Sequence, residues 1–275
     1  VKMIIPSSVI KIGNYVFYKC SSLTEITIPS SITEINDYFL YGCSSLEKVI
    51  IPTSITLIGI YSFFNCELLK EIVIPSSITN IGEKSFYSCK SLESIEIPSS
   101  ITKIEAATFY GCSLLKQIIL PSDSINSIEK YSFANCSSLA EIIIPSSIKE
   151  IGAYSFLNCS SLKSISIPSS ITVIEESTFY GCNNLIQILI PSSVTKIKDF
   201  AFGNCSSIEK IIIPSSVTSI GSYVFNNCKS LKNMNIPSSV TRIGDFAFNN
   251  CTSLSNISIP PSITFIGFGA FNGCA

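Results

Sequence analysis

Residues 74–97 read IPSSITNIGEKSFYSCKSLESIEI, and variants of this stretch fill the 275-residue chain. Each copy has a Pro after a strand-like apolar segment and a Cys farther along. The interval between successive cysteines is 23 residues, except for 24 residues between Cys112 and Cys136. A unit of this length cannot bury its own apolar face, so neighbouring copies must stack. The cysteines are Cys20, Cys43, Cys66, Cys89, Cys112, Cys136, Cys159, Cys182, Cys205, Cys228, Cys251 and Cys274.

A single copy predicts one turn of a solenoid. Ile26 and Ile28 alternate with polar neighbours, which indicates a strand with one buried face. Pro29 has no N–H group and ends that strand. Ile35 then points an apolar side chain inward, and a Phe three residues before the Cys fills the interior in eleven of the twelve copies. Leu40 takes the place of this Phe in the second copy.

The period and the motif are typical of a known repeat family. Leu23, Ile26 and Ile28 match the L-x-x-L-x-L start of leucine-rich repeats, whose period is about 20–29 residues. With Pro directly after the strand and I-G-x-x-x-F-x-x-C on the return, essentially the whole chain resembles the BspA-like leucine-rich repeat surface proteins of bacterial type. Its preference for Ile, Asn and Ser is similar to the protist versions of that family.

The resemblance implies an α/β-type repeat solenoid that is mostly β, with the form of a horseshoe or superhelix. We expect a parallel concave β-sheet and short helical or 3₁₀ turns on the convex side. Residues 1–275 are predicted to form a single solenoid of about twelve 23-residue repeats. Neither end resembles a capping repeat, so we expect a fragment of a longer chain whose uncapped ends allow end-to-end self-association.

Composition argues against several classes of function. The chain has 18 Lys+Arg against 19 Asp+Glu and no His. Without a basic excess, a nucleic-acid partner is not expected. Without His, a Ser nucleophile lacks its usual base, and no phosphate-loop motif is present, so we predict neither an enzyme nor a cofactor. No apolar run reaches about 18 residues, so no membrane insertion is expected within this segment.

The cysteine column has three interpretations. A metal site needs ligands that cluster in space, and a line of identical thiols does not form a tetrahedron. Disulfides between adjacent turns are geometrically conceivable, but a regular ladder would have to pair arbitrarily. We favour the third interpretation, a buried free thiol that packs as a small hydrophobe, and we predict no metal.

The positions that vary between copies carry the functional signal. Seven residues after each Cys, aliphatic residues occur in pairs, with a polar residue at every third copy. Contiguous exposed aliphatics mark contact surfaces, but β-branched residues also favour strands, and both interpretations remain open. The candidate partner-binding stripe on the concave face consists of Ile50, Val73, Ile119, Ile143, Leu189 and Ile212.

The three-copy rhythm recurs elsewhere in the chain. Residues 104–112 read IEAATFYGC and residues 174–182 read IEESTFYGC, which indicates duplication in blocks of three repeats. Charges also alternate in sign along two outward columns, which predicts a stabilising ladder between strands. These columns are Lys2, Glu25, Lys48, Glu71 and Glu47, Lys70, Glu93, Lys116.

Two classes of function are compatible with these features. The family resemblance implies a cell-surface or secreted adhesion module that contacts host cells or matrix, with a protein or glycan ligand on the concave face. The alternative is an intracellular scaffold that uses the same face for a cytoplasmic protein. Twelve unpaired thiols suit a reducing compartment slightly better, whereas the resemblance favours the cell surface.

Overall fold

The computed structural model describes residues 1–274 and forms a parallel β-solenoid of about twelve turns. We number each turn by the Cys that ends it and each strand in chain order. Three-residue strands form the sheet that we call the front ladder, which corresponds to the sheet expected to be concave. Its strands are β1 (Lys2–Ile4), β2 (Glu25–Thr27), β4 (Lys48–Ile50), β7 (Ser94–Glu96), β9 (Gln117–Ile119), β12 (Ser164–Ser166), β14 (Gln187–Leu189), β16 (Lys210–Ile212), β18 (Asn233–Asn235) and β20 (Asn256–Ser258).

A second set of two-residue strands forms what we call the back ladder, centred on the inward Ile of each turn. All strand pairs in both ladders are parallel and join neighbouring turns, as in Glu25 opposite Lys48. The back ladder consists of β3 (Glu34–Ile35), β5 (Leu57–Ile58), β6 (Asn80–Ile81), β8 (Lys103–Ile104), β10 (Ser127–Ile128), β11 (Glu150–Ile151), β13 (Val173–Ile174), β15 (Lys196–Ile197), β17 (Ser219–Ile220), β19 (Arg242–Ile243) and β21 (Phe265–Ile266).

Both ladders are interrupted near turns 4 and 7, but not at the same steps. The front ladder loses its strands in turns 4 and 7, where only the bridge from Glu71 to Ser94 remains. The back ladder pairs β3, β5 and β6, then β8, β10 and β11, then β13 through β21. We call the unpaired steps of the back ladder between turns 4 and 5 and between turns 7 and 8 the two seams. They divide the chain into blocks of turns 2–4, turns 5–7 and turn 8 onward.

The seams coincide with a change of residue after the inward Ile. At each seam a Gly turn is followed by a turn with a side chain, Gly82 before Glu105 and Gly152 before Glu175. Turns approach closely here, because a Cβ placed on Gly82 would lie 2.7 Å from the backbone of Gly59. The N–H of Gly82 donates to a carbonyl of the preceding turn at 2.8 Å, whereas those of Glu105 and Glu175 have no acceptor within residues 1–274. We attribute the seams to the step from a Gly turn to a turn with a side chain, because Glu129 and Lys198, which follow a turn with a side chain, donate to the preceding turn at 2.9 and 3.0 Å.

The side of each turn that leads to the Cys is not helical, which corrects the expected helical or 3₁₀ turns. Every turn there has two residues with positive φ, five residues and one residue before the Cys, such as Tyr61 (56°) and Asn65 (56°). Left-handed residues interrupt a right-handed helix. They direct the backbone N–H groups of Tyr61, Phe63 and Asn65 to carbonyls of the next turn at 3.0, 2.8 and 2.8 Å. We call this surface the turn side.

The core is a set of columns in which equivalent side chains stack from turn to turn. Phe rings form a continuous column from Phe63 to Phe271, with centroid spacings between 5.1 and 5.7 Å. In turn 2, Phe39 and Leu40 are both buried. Each fully buried Phe or aliphatic side chain contributes roughly 1.5–3 kcal/mol. The predicted alternation is confirmed, because Ile26 and Ile28 are buried beneath a more exposed strand surface.

The Pro-Ser-Ser corner is also bonded between turns. The second Ser hydroxyl donates to a carbonyl of the preceding turn, as from Ser54 Oγ to Ile32 O at 2.7 Å and from Ser77 Oγ to Ile55 O at 2.6 Å. These bonds explain why a hydroxyl recurs at this position, since the accepting carbonyl would otherwise lack a protein partner on the corner. Away from the seams, each turn is therefore joined to its neighbours at the strands, at this corner and on the turn side.

Candidate functional site

The candidate stripe lies on one exposed face of the solenoid. Its strands have an exposed–buried–exposed pattern, so the third strand residue points away from the core. All six predicted side chains are exposed, from 42% for Ile50 to 81% for Val73. They occupy turns 3, 4, 6, 7, 9 and 10 and thus form three pairs. The positions are Ile50 with Val73, Ile119 with Ile143, and Leu189 with Ile212.

Polar residues separate the pairs along the solenoid axis. Strand register places Thr27 beside Ile50, Glu96 beside Ile119 and Ser166 beside Leu189. Leu189 is itself in register with Ile212, so the two members of this pair are direct neighbours. The stripe is therefore a sequence of two apolar turns and one polar turn.

Each pair borders an open depression in the front face. One depression of about 470 Å³ is lined by Gln187, Leu189, Lys210 and Ile212 with parts of their neighbours. A second, of about 440 Å³, is lined by Gln117, Ile119, Glu141 and Ile143 among others. A third, of about 400 Å³, lies between Val73 and Glu96. The depressions are shallow and open, which suits side chains of a macromolecular partner better than an enclosed small molecule.

Charged side chains surround this face in the predicted columns. Lys2 Nζ lies 2.7 Å from Glu25 Oε2, and Lys116 Nζ lies 2.8 Å from Glu93 Oε2. A hydrogen bond from Lys116 lowers the pKa of the Glu93 carboxyl. The remaining members of the two columns make no ion pairs within residues 1–274. Solvent-exposed pairs of this kind contribute at most about 1 kcal/mol.

The cysteine column lies in the core from Cys43 to Cys251, which confirms the predicted burial of its thiols. All twelve are free, and those from Cys43 to Cys251 are buried. Cys112 Sγ donates to the carbonyl of Phe86 in the preceding turn at 3.2 Å. Burial raises the pKa of this thiol to about 12, so it is neither nucleophilic nor a ready metal ligand at neutral pH. No cluster of three or more metal-ligating side chains occurs within residues 1–274.

Sequence reasoning missed a set of aromatic side chains on the turn side. Tyr18, Tyr41, Phe64, Tyr87 and Tyr110 form one file of stacked rings with centroid spacings of 4.5–4.9 Å. A shorter file runs beside it through three more tyrosines. The sequence could have predicted these files, because Tyr or Phe recurs two and five residues before the Cys. Within the file each ring stacks face to face on the rings of the neighbouring turns, so mainly the ring edges reach solvent.

The 23-residue repeat and the parallel ladders are those of the leucine-rich repeat solenoids, and they define the class of protein. The model of the BspA type leucine rich repeat region, built of six copies, matches residues 1–116, 58–186, 102–231 and 172–275. The chain belongs to the BspA-type leucine-rich repeat family, as its sequence predicted.

Solved structures of two bacterial proteins share this architecture. A leucine-rich repeat protein from Bacteroides ovatus is 35% identical, with a TM-score of 0.84 over 99% of this chain and 76% of that one. A leucine rich cell surface protein from Faecalibacterium prausnitzii is 28% identical, with a TM-score of 0.66 over 99% and 85% of the two chains. No match is found among curated proteins. Within residues 1–274, no helix has the length and apolarity needed to cross a bilayer.

Proposed function

We propose that the chain is a non-enzymatic recognition module that binds a protein partner on its front face, at the surface of the cell that makes it. The observation that carries this proposal is the six aliphatic side chains of the stripe, which stay exposed on a regular sheet. Contiguous exposed apolar surface on a soluble protein is typical of a contact site.

The proposed location rests on the relatives. The Faecalibacterium protein, similar over 99% of this chain, is described as a cell surface protein. By this likeness the partner of the present chain is a protein of a neighbouring cell or of the surrounding matrix, and the role is adhesion. The buried thiols do not oppose a location outside the cell, because an inaccessible thiol resists oxidation in either compartment.

A substitution on the front face tests the binding proposal. A photo-crosslinking amino acid at position 119 is used to capture and identify the partner from whole cells and matrix extract. Binding of that purified partner is then measured by surface plasmon resonance to the Ile119→Lys/Ile143→Lys double variant. We expect affinity to fall at least about tenfold, because two charges would have to be desolvated at the interface.

The matched control is the Leu68→Lys/Leu114→Lys double variant. Leu68 and Leu114 are 44% and 46% exposed, close to the 48% of Ile119, but they lie off the stripe. Equal affinity of the folded front-face variant and the wild type would contradict the proposal.

Labelling of intact source cells with a membrane-impermeant amine reagent tests the location. We expect the full-length protein to be labelled before lysis. Labelling only after lysis would instead favour an intracellular scaffold.

A further inference from the structure

The three aliphatic pairs are equivalent sites in a repeating structural unit. Each pair occupies the last two turns of a three-turn stretch whose first turn is polar: turns 2–4, 5–7 and 8–10. The two seams fall at the boundaries of these same stretches. In the second and third stretches the pair also has a Gln beside its first aliphatic, Gln117 and Gln187, both exposed. The unit of the surface is therefore three turns, and the front face presents it three times.

The distance between successive pairs determines which backbone conformation allows one polypeptide ligand to contact all three pairs. Neighbouring strands lie about 4.8 Å apart, so equivalent sites recur about every 14 Å along the axis. Four residues of extended chain cover about 13–14 Å, and residues i and i+4 point to the same side. On one face of an α-helix, residues seven apart are separated by about 10.5 Å and residues eleven apart by about 16.5 Å. Neither distance matches the spacing of about 14 Å between equivalent sites.

The polar turns give the ligand a second periodic requirement. An extended chain that places residues i and i+4 over two successive pairs places residue i+2 over the polar turn between them. That turn presents Glu96 between the first and second pairs and Ser166 between the second and third. Glu96 is exposed and forms no ion pair within residues 1–274. A basic residue at i+2 would supply the missing opposite charge.

We propose that the front face binds an extended polypeptide segment that runs along the solenoid axis. Its aliphatic residues lie at i, i+4 and i+8, and a Lys or Arg at i+2 faces Glu96. This inference rests on the proposed function and adds the backbone conformation, the register and the charge of the partner. The exposed amides of Gln117 and Gln187 are available to the backbone N–H and C=O groups that an extended chain leaves unpaired.

Designed peptides test the register. The first probe is a fluorescein-labelled peptide, Ile-Thr-Lys-Thr-Ile-Thr-Ser-Thr-Ile. The second has the same composition with its three Ile residues moved to the first, fourth and eighth places, the spacing of a helical face. Binding to the folded wild-type chain is measured by fluorescence anisotropy. We expect the first peptide to bind at least about tenfold more tightly than the second.

Two variants of the chain test the individual contacts. Ile143→Lys should weaken the first peptide about tenfold, and the matched Leu114→Lys variant should not. Glu96→Gln should weaken it severalfold, but should leave unchanged a peptide in which Gln replaces the Lys. Equal binding of the two peptide registers, or no binding of either, would overturn the extended-chain inference. If the Ile119→Lys/Ile143→Lys variant still bound the captured partner more weakly than the wild type, the proposed function would stand without this inference. Equal affinity of that variant and the wild type would remove both.

Discussion

At the scale of single residues, the thiols have the clearest electrostatic consequence. Cys112 is fully buried, and removal from water raises the pKa of its thiol to about 12. Cys159 is in the same situation, with its pKa also raised to about 12 by burial. In an unfolded chain a thiol has a pKa of about 8.5. Between these values the unfolded chain releases a proton that the folded chain retains, so rising pH favours unfolding.

We therefore expect stability to fall with rising pH above about 9, by roughly 1.4 kcal/mol per pH unit for each such thiol. The Cys112→Ala variant removes one of these groups. Its free energy of unfolding relative to wild type should improve by roughly that amount for each pH unit between about 9 and 11. Urea unfolding at several pH values measures the difference. Cys20→Ala, at an exposed thiol, is the control, and an equal slope in both variants would contradict the prediction.

At the scale of the local element, the turn side depends on paired left-handed residues. The position before the Cys is Asn or Gly in most turns, the two residues that adopt positive φ at least cost. Ser88 occupies this position with φ of 54° and Gly111 occupies it with φ of 72°. The backbone there bonds the next turn, since the N–H of Ser88 donates to the carbonyl of Tyr110 at 2.7 Å.

Substitution at these two positions should have opposite effects. Ser88→Gly removes the strain of a left-handed Ser, but it also makes the unfolded chain more flexible. The net effect should be a stabilisation of about 0.5–1 kcal/mol. Gly111→Ala should destabilise it by about 1 kcal/mol. Thermal unfolding followed by circular dichroism measures both changes. Ser99→Gly, in a corner without positive φ, should destabilise the chain. Stabilisation at Ser99 as large as that at Ser88 would show that strain is not the cause.

The same element shows how far local sequence patterns reach. The strand at Ile26 was predictable because alternation of apolar and polar side chains is specific to a half-buried strand. The left-handed Tyr61 was not, because Tyr carries no preference for positive φ, and it is held there by bonds to the next turn. The exposure of Ile119 was predictable from strand alternation. The identity of the protein that contacts Ile119 was not, since the same fold serves unrelated ligands.

At the scale of the whole molecule, the two seams make the solenoid uneven. The N–H groups of Glu105 and Glu175 lack acceptors in the described residues, whereas that of Glu129 donates to Ile104 O at 2.9 Å. The three-copy rhythm of the sequence predicted duplication, but not that its boundaries would be unpaired. We attribute that outcome to the fit between a Gly turn and the side chain of the turn stacked on it, and only the stacked structure brings these two turns together.

Amide hydrogen exchange followed by NMR should detect the seams. We expect the amides of Glu105 and Glu175 to exchange faster than those of Gly82, Glu129 and Gly152, which donate to the preceding turn. Glu105→Gly should close its seam and slow exchange at that position about tenfold, the factor for one regained hydrogen bond of about 1.4 kcal/mol. Glu129→Gly is the matched control, because pairing is already present there. Unchanged exchange at position 105 would mean that the side chain does not cause the seam.

The bonds from turn to turn on the turn side also decide how the molecule responds to a pulling force. Tension along the axis loads the bonds of one turn at a time, because each turn is held only by its neighbours. A released turn of 23 residues lengthens the chain by roughly 80 Å, compared with about 4.8 Å while it was stacked. A solenoid built this way yields one turn at a time under tension and absorbs work as each released turn lengthens.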